Sequence, residues 1–230
     1  INFFKNHGML SINDRPQWLT IKGGSQEYVK KLTSYFKNNI RLNSKIKSVV
    51  RNKDYIEIED NQSKEKYDYV FFACHSNEVL EILEKPTTNE VEILKALPYQ
   101  QNNVILHTDS NVMPKNKLSW AAWNYNIDSQ KESPVTLTYN MNILQNIKSK
   151  DDLLVTLNPK NPIPKEKIIK KLEYGHPKFS KESIFAQKNN KKISGKNRSF
   201  YAGAYWGKGF HEDGVKSAYE AVKIFEGIIK

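Results

Sequence analysis

The sequence predicts a mixed α+β fold, and three observations carry that prediction. Short apolar runs bounded by turn residues recur along the chain, as at residues 70–74, 104–108 and 153–157, which is the pattern of buried strands. Other stretches carry apolar residues at helical spacing, and Val215, Ala218, Val222, Phe225 and Ile229 form the most regular of these stripes. A glycine-rich segment with Gly203, Gly207, Gly209 and Gly214 leads from a short apolar run into that last helix.

Taken in order, residues 18–32 read as a strand, a Gly23-Gly24 turn and a helix. Residues 40–49 and 55–59 read as strands, followed by a polar turn and a return strand over 67–75. Helices are expected at 76–83 and 89–97, and a strand at 104–108. Residues 119–125 and 134–139 have the alternation and aromatic content of paired strands. A further strand, 153–157, is stopped by Asn158-Pro159. Residues 163–172 predict a short helix with Pro164 near its first turn. The basic run 188–192 predicts a solvated loop. Residues 199–202 predict a short buried strand ahead of the glycine loop.

The start of the last helix is the most informative point. Its unpaired N–H groups and positive dipole end suit negative charge, and Gly214 admits close approach of another group to the backbone. The same strand, glycine loop and helix also serve as a plain connection. His211-Glu212-Asp213 reads either as an acid/base group or as carboxylates that complement the helix dipole.

Ala202-Gly203 and Glu212-Asp213-Gly214-Val215 resemble the C-terminal flavin-contacting segment of the flavin amine oxidase superfamily. Residues 18–32, with Gly23-Gly24, resemble its strand, Gly-Gly and helix, and residues 40–75 follow the order of its β-meander. Residues 3–8, 15–18, 106–109 and 209–214 are similar to a bacterial group of NAD/FAD-binding, amine oxidase-like proteins. The resemblance covers nearly the whole chain. It implies an FAD/NAD(P)-binding-type fold, with residues 19–81 and 198–230 on the cofactor side. Residues 1–18 and 82–197 would then form the substrate side, built on an antiparallel sheet.

The sequence departs from that family in lacking GxGxxG, the turn that seats a dinucleotide pyrophosphate on a helix start. It also begins at Ile1. The expectation is therefore a C-terminal part of a longer protein, or half of a split gene, without its N-terminal dinucleotide-binding (Rossmann) unit.

Composition narrows the partners. Lys and Arg total 36 against 25 Asp and Glu, a net charge of +11. The lysines are scattered and no RRM, zinc-finger or helix-turn-helix spacing accompanies them, so nucleic acid is not the expected partner. Peripheral membrane contact stays open. The single Cys74 precludes an intrachain disulfide and points to a reducing, cytoplasmic setting; inside an apolar strand it reads as a buried thiol. The five histidines are dispersed, and no metal site is expected. The longest apolar run, 70–74, is far short of the roughly 18 residues of a spanning helix.

The resemblance implies FAD as cofactor. It places Ile46 near the adenine end, Ala73 near the ribose, and Gly203, Gly209, His211, Glu212, Asp213, Gly214 and Val215 along the flavin. Phe210 matches the aromatic set against substrate. Trp120, Trp123, Tyr125 and Tyr139 read either as further walls of that pocket or as plain core. The lysine that many amine oxidases keep near the flavin is missing from residues 101–104. The substrate is thus either an amine or an apolar, lipid-like molecule oxidised at a C–C bond. Rival classes are a cofactor-free binding module and a nucleic-acid binder.

Overall fold

The computed structural model describes residues 10, 11, 13, 14, 17, 19–126 and 136–230. Most of the expected motif residues at 3–8 and 15–18, and the start of the strand expected at 134–139, lie outside them. The chain divides into two units after Leu42. In the first, Gly24 N–H donates to the Ile21 carbonyl, and Gly23 and Gly24 both take positive φ, which favours glycine. The expected helix follows as α1 (Gln26–Thr33). The strand expected before it does not form over residues 19–21, where Leu19 and Ile21 are exposed; an extended segment needs a neighbour to pair its backbone.

The second unit opens with an antiparallel meander, β1 (Ser48–Arg51), β2 (Ile56–Glu59) and β3 (Lys64–Tyr67). The third strand lies partly in the expected polar turn. Asp60 makes that turn tighter by accepting the N–H groups of Gln62 and Ser63, which leaves 64–67 free to pair. The return strand β4 (Val70–Phe72) leads into α2 (Ser76–Ile82) and α3 (Thr88–Lys95). Thr87 caps α3 by accepting the Glu90 N–H, and the Glu90 side chain returns to the Thr87 N–H. Val49, Ile56, Phe72, Val79 and Leu94 form the core between these elements.

A five-stranded antiparallel sheet comes next, ordered β6-β7-β8-β5-β9. Its strands are β5 (Tyr99–His107), β6 (Trp123–Asn126), β7 (Thr136–Asn140), β8 (Leu154–Leu157) and β9 (Ile168–Pro177), with a short α4 (Met141–Leu144) between β7 and β8. The helix expected at 163–172 is absent. Only Lys165–Lys167 coils, as one 3-10 turn, and Ile168 begins a ten-residue strand. Ile168, Lys170, Lys171 and Leu172 pair with β5 while Ile169 sits at a bulge, and tertiary pairing overrides the local pattern.

The basic run at 188–192 is solvated as expected, with its lysines exposed, and comprises the end of α5 (Lys181–Lys188) and a 3-10 turn over Asn190–Lys192 in place of an irregular loop. Finally β10 (Ser199–Tyr201) pairs in parallel with β4, and α6 (His211–Ile229) crosses that pair. The stripe read from the sequence is not the one buried. Phe225 packs edge-on to Phe71 and Phe200, and Ala221 and Ile224 face inward, Ile224 against Gly195. Val215, Ala218, Val222 and Ile229 are exposed.

Candidate functional site

The parallel pair sets the site. Ala202 N–H donates to the Phe72 carbonyl at 2.9 Å, so Ala73 and Gly203 leave the sheet side by side at the carboxyl ends of β10 and β4. In parallel sheets this is the end at which ligands gather. Gly203 N–H donates to Ser217 Oγ at 2.8 Å, and that hydroxyl donates to the Gly214 carbonyl. The first turn of α6 is thereby tied to the strand end.

The glycines between them have distinct physical reasons. A methyl on Gly203 would lie 2.3 Å from the Tyr205 ring, and one on Gly207 2.3 Å from the Asp213 carboxylate. Gly209 has φ +90, a conformation other residues rarely adopt. Asp213 holds the loop shut by accepting N–H groups from Lys208 and Phe210, both at 3.0 Å. At Gly214 a methyl would meet only Ala204, at ordinary contact distance. Glu212 is exposed and pairs with Lys216.

Gly203, Gly209, Phe210, His211, Glu212, Asp213, Gly214 and Val215 therefore cluster at one loop and helix start, with Ala73 beside them. Ile46 stands on another element, the approach to β1, next to the Lys47 N–H that bonds Glu59. On the antiparallel sheet Trp123 and Tyr139 face each other across β6 and β7, ring centroids 6.0 Å apart and nearly perpendicular. Tyr125 lies on the same face two residues on, exposed. Trp120 precedes β6; its indole N–H donates to the Pro114 carbonyl and Lys117 sits over its ring.

Sequence reasoning missed an aromatic chain that joins the loop to the antiparallel sheet. His75 stacks on Tyr99 at 4.1 Å, Tyr99 meets Tyr205 edge-on, and Tyr205 touches Trp206. The signal available was the Tyr205-Trp206 pair inside a glycine loop. Tyr205 Oη and Trp206 Nε1 are buried beside each other and have no other hydrogen-bond partner among the described residues, an uncommon state for a buried hydroxyl. Burial raises the Tyr205 hydroxyl pKa strongly, pushes Tyr99 up to about 12 and pushes the Cys74 thiol up to about 11. Cys74 is thus a poor nucleophile.

The inner face of the antiparallel sheet carries a polar line. His107 Nδ1 accepts the Asp109 N–H, which makes Nε2 the protonated nitrogen, donating to Thr156 Oγ1 at 2.8 Å. Thr156 in turn bonds Thr138 at 2.9 Å. Burial lowers the His107 pKa, while Lys167 holds Asp109 below its ordinary range at 2.8 Å despite the latter's burial. Among the described residues no group of three or more His, Cys, Asp or Glu could hold a metal, and no helix is long and apolar enough to cross a membrane.

No protein-family model and no curated protein sequence matches the chain. Solved structures do. A protein described as a protoporphyrinogen oxidase from Exiguobacterium sp. 255-15 aligns over 92% of this chain and 53% of its own, with TM-score 0.65 and 13% identity. The cyclohexylamine oxidase of Brevibacterium oxydans aligns over 90% and 53%, with TM-score 0.60 and 11% identity. The fatty acid isomerase of P. acnes that produces CLA aligns over 88% and 52%, with TM-score 0.57 and 13% identity. The chain shares their fold. It spans about half the length of these structures, and at such identities the likeness is one of architecture.

Proposed function

We propose that this chain is the C-terminal part of an FAD-dependent oxidoreductase of amine oxidase type. The reaction is oxidation of an amine, or of a C–C bond in an apolar or lipid-like substrate, by hydride transfer to the flavin. The observation that carries this reading is the convergence of the β4 and β10 ends with the glycine loop and the start of α6. That arrangement occurs in a fold shared with oxidases and a fatty acid isomerase. Residues 19–81 and 198–230 make the cofactor side, and residues 1–18 and 82–197 the substrate side.

The residues present fit FAD. The buried Tyr205 hydroxyl has the Trp206 indole N–H as a donor beside it and still lacks an acceptor for its own proton, and a ring system bearing carbonyl oxygens and ring nitrogens offers an acceptor of the right kind. Gly203, Gly209, the 211–215 turn and Ala73 would hold the flavin half, and Ile46 the adenine half. Bound FAD supplies the hydride acceptor. The chain's own part is electrostatic and steric. The first-turn N–H groups of α6 favour the negative charge that reduction leaves, in the manner of an oxyanion hole. Asp213 fixes the loop that aims them, and Phe210 walls the substrate side with Trp120, Trp123, Tyr125 and Tyr139. No lysine stands within residues 101–104, where β5 carries Gln101, Asn102 and Asn103.

Titrating FAD into the protein and following flavin absorbance and fluorescence tests the reading. Saturable binding that weakens in Gly214→Val supports it. Absence of binding, both by the chain and by the chain joined to the polypeptide encoded before Ile1, overturns it.

A further inference from the structure

At the amino end of β10, opposite the glycine loop, lies a cavity of about 640 Å³. Three segments line it: the β1–β2 turn with Lys53, the link between α2 and α3 with Glu84 and Lys85, and the approach to β10 with Asn197 and Arg198. Arg51 lines it as well, but Glu90 takes up its charge. Lys53, Lys85 and Arg198 make no ion pair among the described residues. The lining therefore carries three uncompensated cations and one carboxylate, that of Glu84.

The segments that bring these cations together are tied to one another. Arg198 donates from Nε to the Lys53 carbonyl at 3.0 Å and from Nη1 to the Asp68 carbonyl at 3.2 Å, and its guanidinium lies 5.4 Å from the Tyr69 ring centroid. Nη2 keeps its N–H groups for another acceptor. Arg51 Nη2 in turn holds the Lys85 carbonyl at 3.2 Å. Lys85, Asn197 and Arg198 all take positive φ, at 51°, 48° and 61°. Asn tolerates that conformation, whereas Lys and Arg seldom adopt it, and such residues gather at ligand clamps. A guanidinium fixed in this way presents its remaining donors with little further ordering, which favours recognition of phosphate oxygens.

We propose that this cavity binds a phosphate-bearing ligand, at a site apart from the one assigned to flavin. A phosphate monoester brings about two negative charges and three acceptor oxygens, which matches the surplus of positive charge better than the single charge of a carboxylate. The volume falls within the range of small-molecule sites, roughly 300 to 1,000 Å³, so the phosphate's substituent is accommodated too. Cofactors of parallel sheets gather at the carboxyl ends of the strands, and this cavity lies at the other end. A free phosphorylated molecule and the headgroup of a phosphorylated lipid share the chemistry that the lining recognises.

Two measurements on the chain test the proposal. The first is calorimetric titration with inorganic pyrophosphate, at about 150 mM salt so that attraction between distant charges is screened. The second is co-sedimentation with phosphatidylcholine vesicles that contain phosphatidylinositol phosphate. Saturable binding in either is expected; pyrophosphate alone assigns a free molecule, and those vesicles, but not plain phosphatidylcholine, assign a headgroup. Lys53→Gln and Lys85→Asn, both at exposed lysines, should each weaken binding roughly tenfold, with the fold checked by circular dichroism. Arg198→Lys, which keeps the charge and removes the fork, should weaken it similarly, while Lys223→Gln on α6 should not. Absence of saturable binding in both measurements, or binding that the two lysine substitutions leave unchanged, overturns the proposal. Equal affinity for sulfate and pyrophosphate overturns it as well, since that marks diffuse attraction to surface charge. Flavin absorbance read on the same variants should not change, so this site and the flavin site stand or fall separately.

Discussion

The Arg51 guanidinium, at the end of β1, grips the buried Glu90 carboxylate of α3 through both nitrogens, with Nη2 2.8 Å from Oε2. Tyr201 Oη, from β10, donates to the same carboxylate at 2.7 Å, and Thr87 donates from its backbone and hydroxyl. One side chain therefore fastens the meander, the helix pair and the parallel strands that present the candidate site. Both charges are compensated, which is the condition for burying them.

Removing one partner should be costly. Glu90→Gln is expected to lower stability by about 3 to 5 kcal/mol, the usual cost of stranding a buried charge, as read by urea denaturation. Against desolvation, Arg51, the Thr87 backbone N–H and the Tyr201 hydroxyl hold the Glu90 pKa down to about 2. A depressed carboxylate stabilises the fold above its unfolded value of 4.5 and loses that contribution as pH falls toward 2. Stability should drop over that window in the parent, and with a shallower slope in Glu90→Gln.

His107 predicts a second, separate pH dependence. Its folded pKa is lowered by burial, so the unfolded chain binds the proton more readily. The fold gains nothing above pH 6.5 and weakens as pH drops below it. His107→Gln should remove this component of the slope below pH 6.5 in thermal melts. A slope unchanged by the substitution would show that another group titrates there.

Flavin affinity should divide between the two halves of the site. The chain alone lacks GxGxxG, and most phosphate recognition in such folds sits at that helix start. Weak FAD binding by the chain, and at least tenfold tighter binding once it is joined to the preceding polypeptide, is the expected result of a fluorescence titration. Gly214→Val should lower occupancy with the helix content unchanged in circular dichroism.

Under the proposed function, substrate choice follows from the residues proposed to wall the pocket. With no lysine at 101–104 and aromatic side chains on the sheet, an apolar or lipid-like molecule is expected to reduce the flavin faster than a small primary amine. A cationic amine would need a carboxylate or aromatic cage to offset its desolvation. Anaerobic mixing with both classes, followed by flavin bleaching, decides. Rapid bleaching by simple amines alone would refute the expectation.

Cys74 should resist alkylation. With its thiol pushed up to about 11, the thiolate is scarce at neutral pH. Iodoacetamide labelling at pH 8, followed by mass spectrometry, should run at least tenfold slower than for a free thiol.

The sequence by itself determined the local elements whose signals are local. The glycine loop and the α6 start, the short strand near 199–202 and the β-branched strands all followed from propensity and turn chemistry. Residues 163–172 misled because Pro164 suits the first turn of a helix as well as the 3-10 turn it precedes, and only β5 alongside makes a strand of the residues that follow. The α6 stripe shows the limit most clearly. Periodicity establishes that one face is apolar, but burial depends on what lies against it, and here the strand pair takes the neighbouring face through Ala221, Ile224 and Phe225. The aromatic chain from His75 to Trp206 joins residues far apart in sequence, as does the grip of Arg51 on Glu90. Those pairings exist only once the strands are parallel and the helices packed, because side-chain contacts across such separations have no periodicity that a sequence could display.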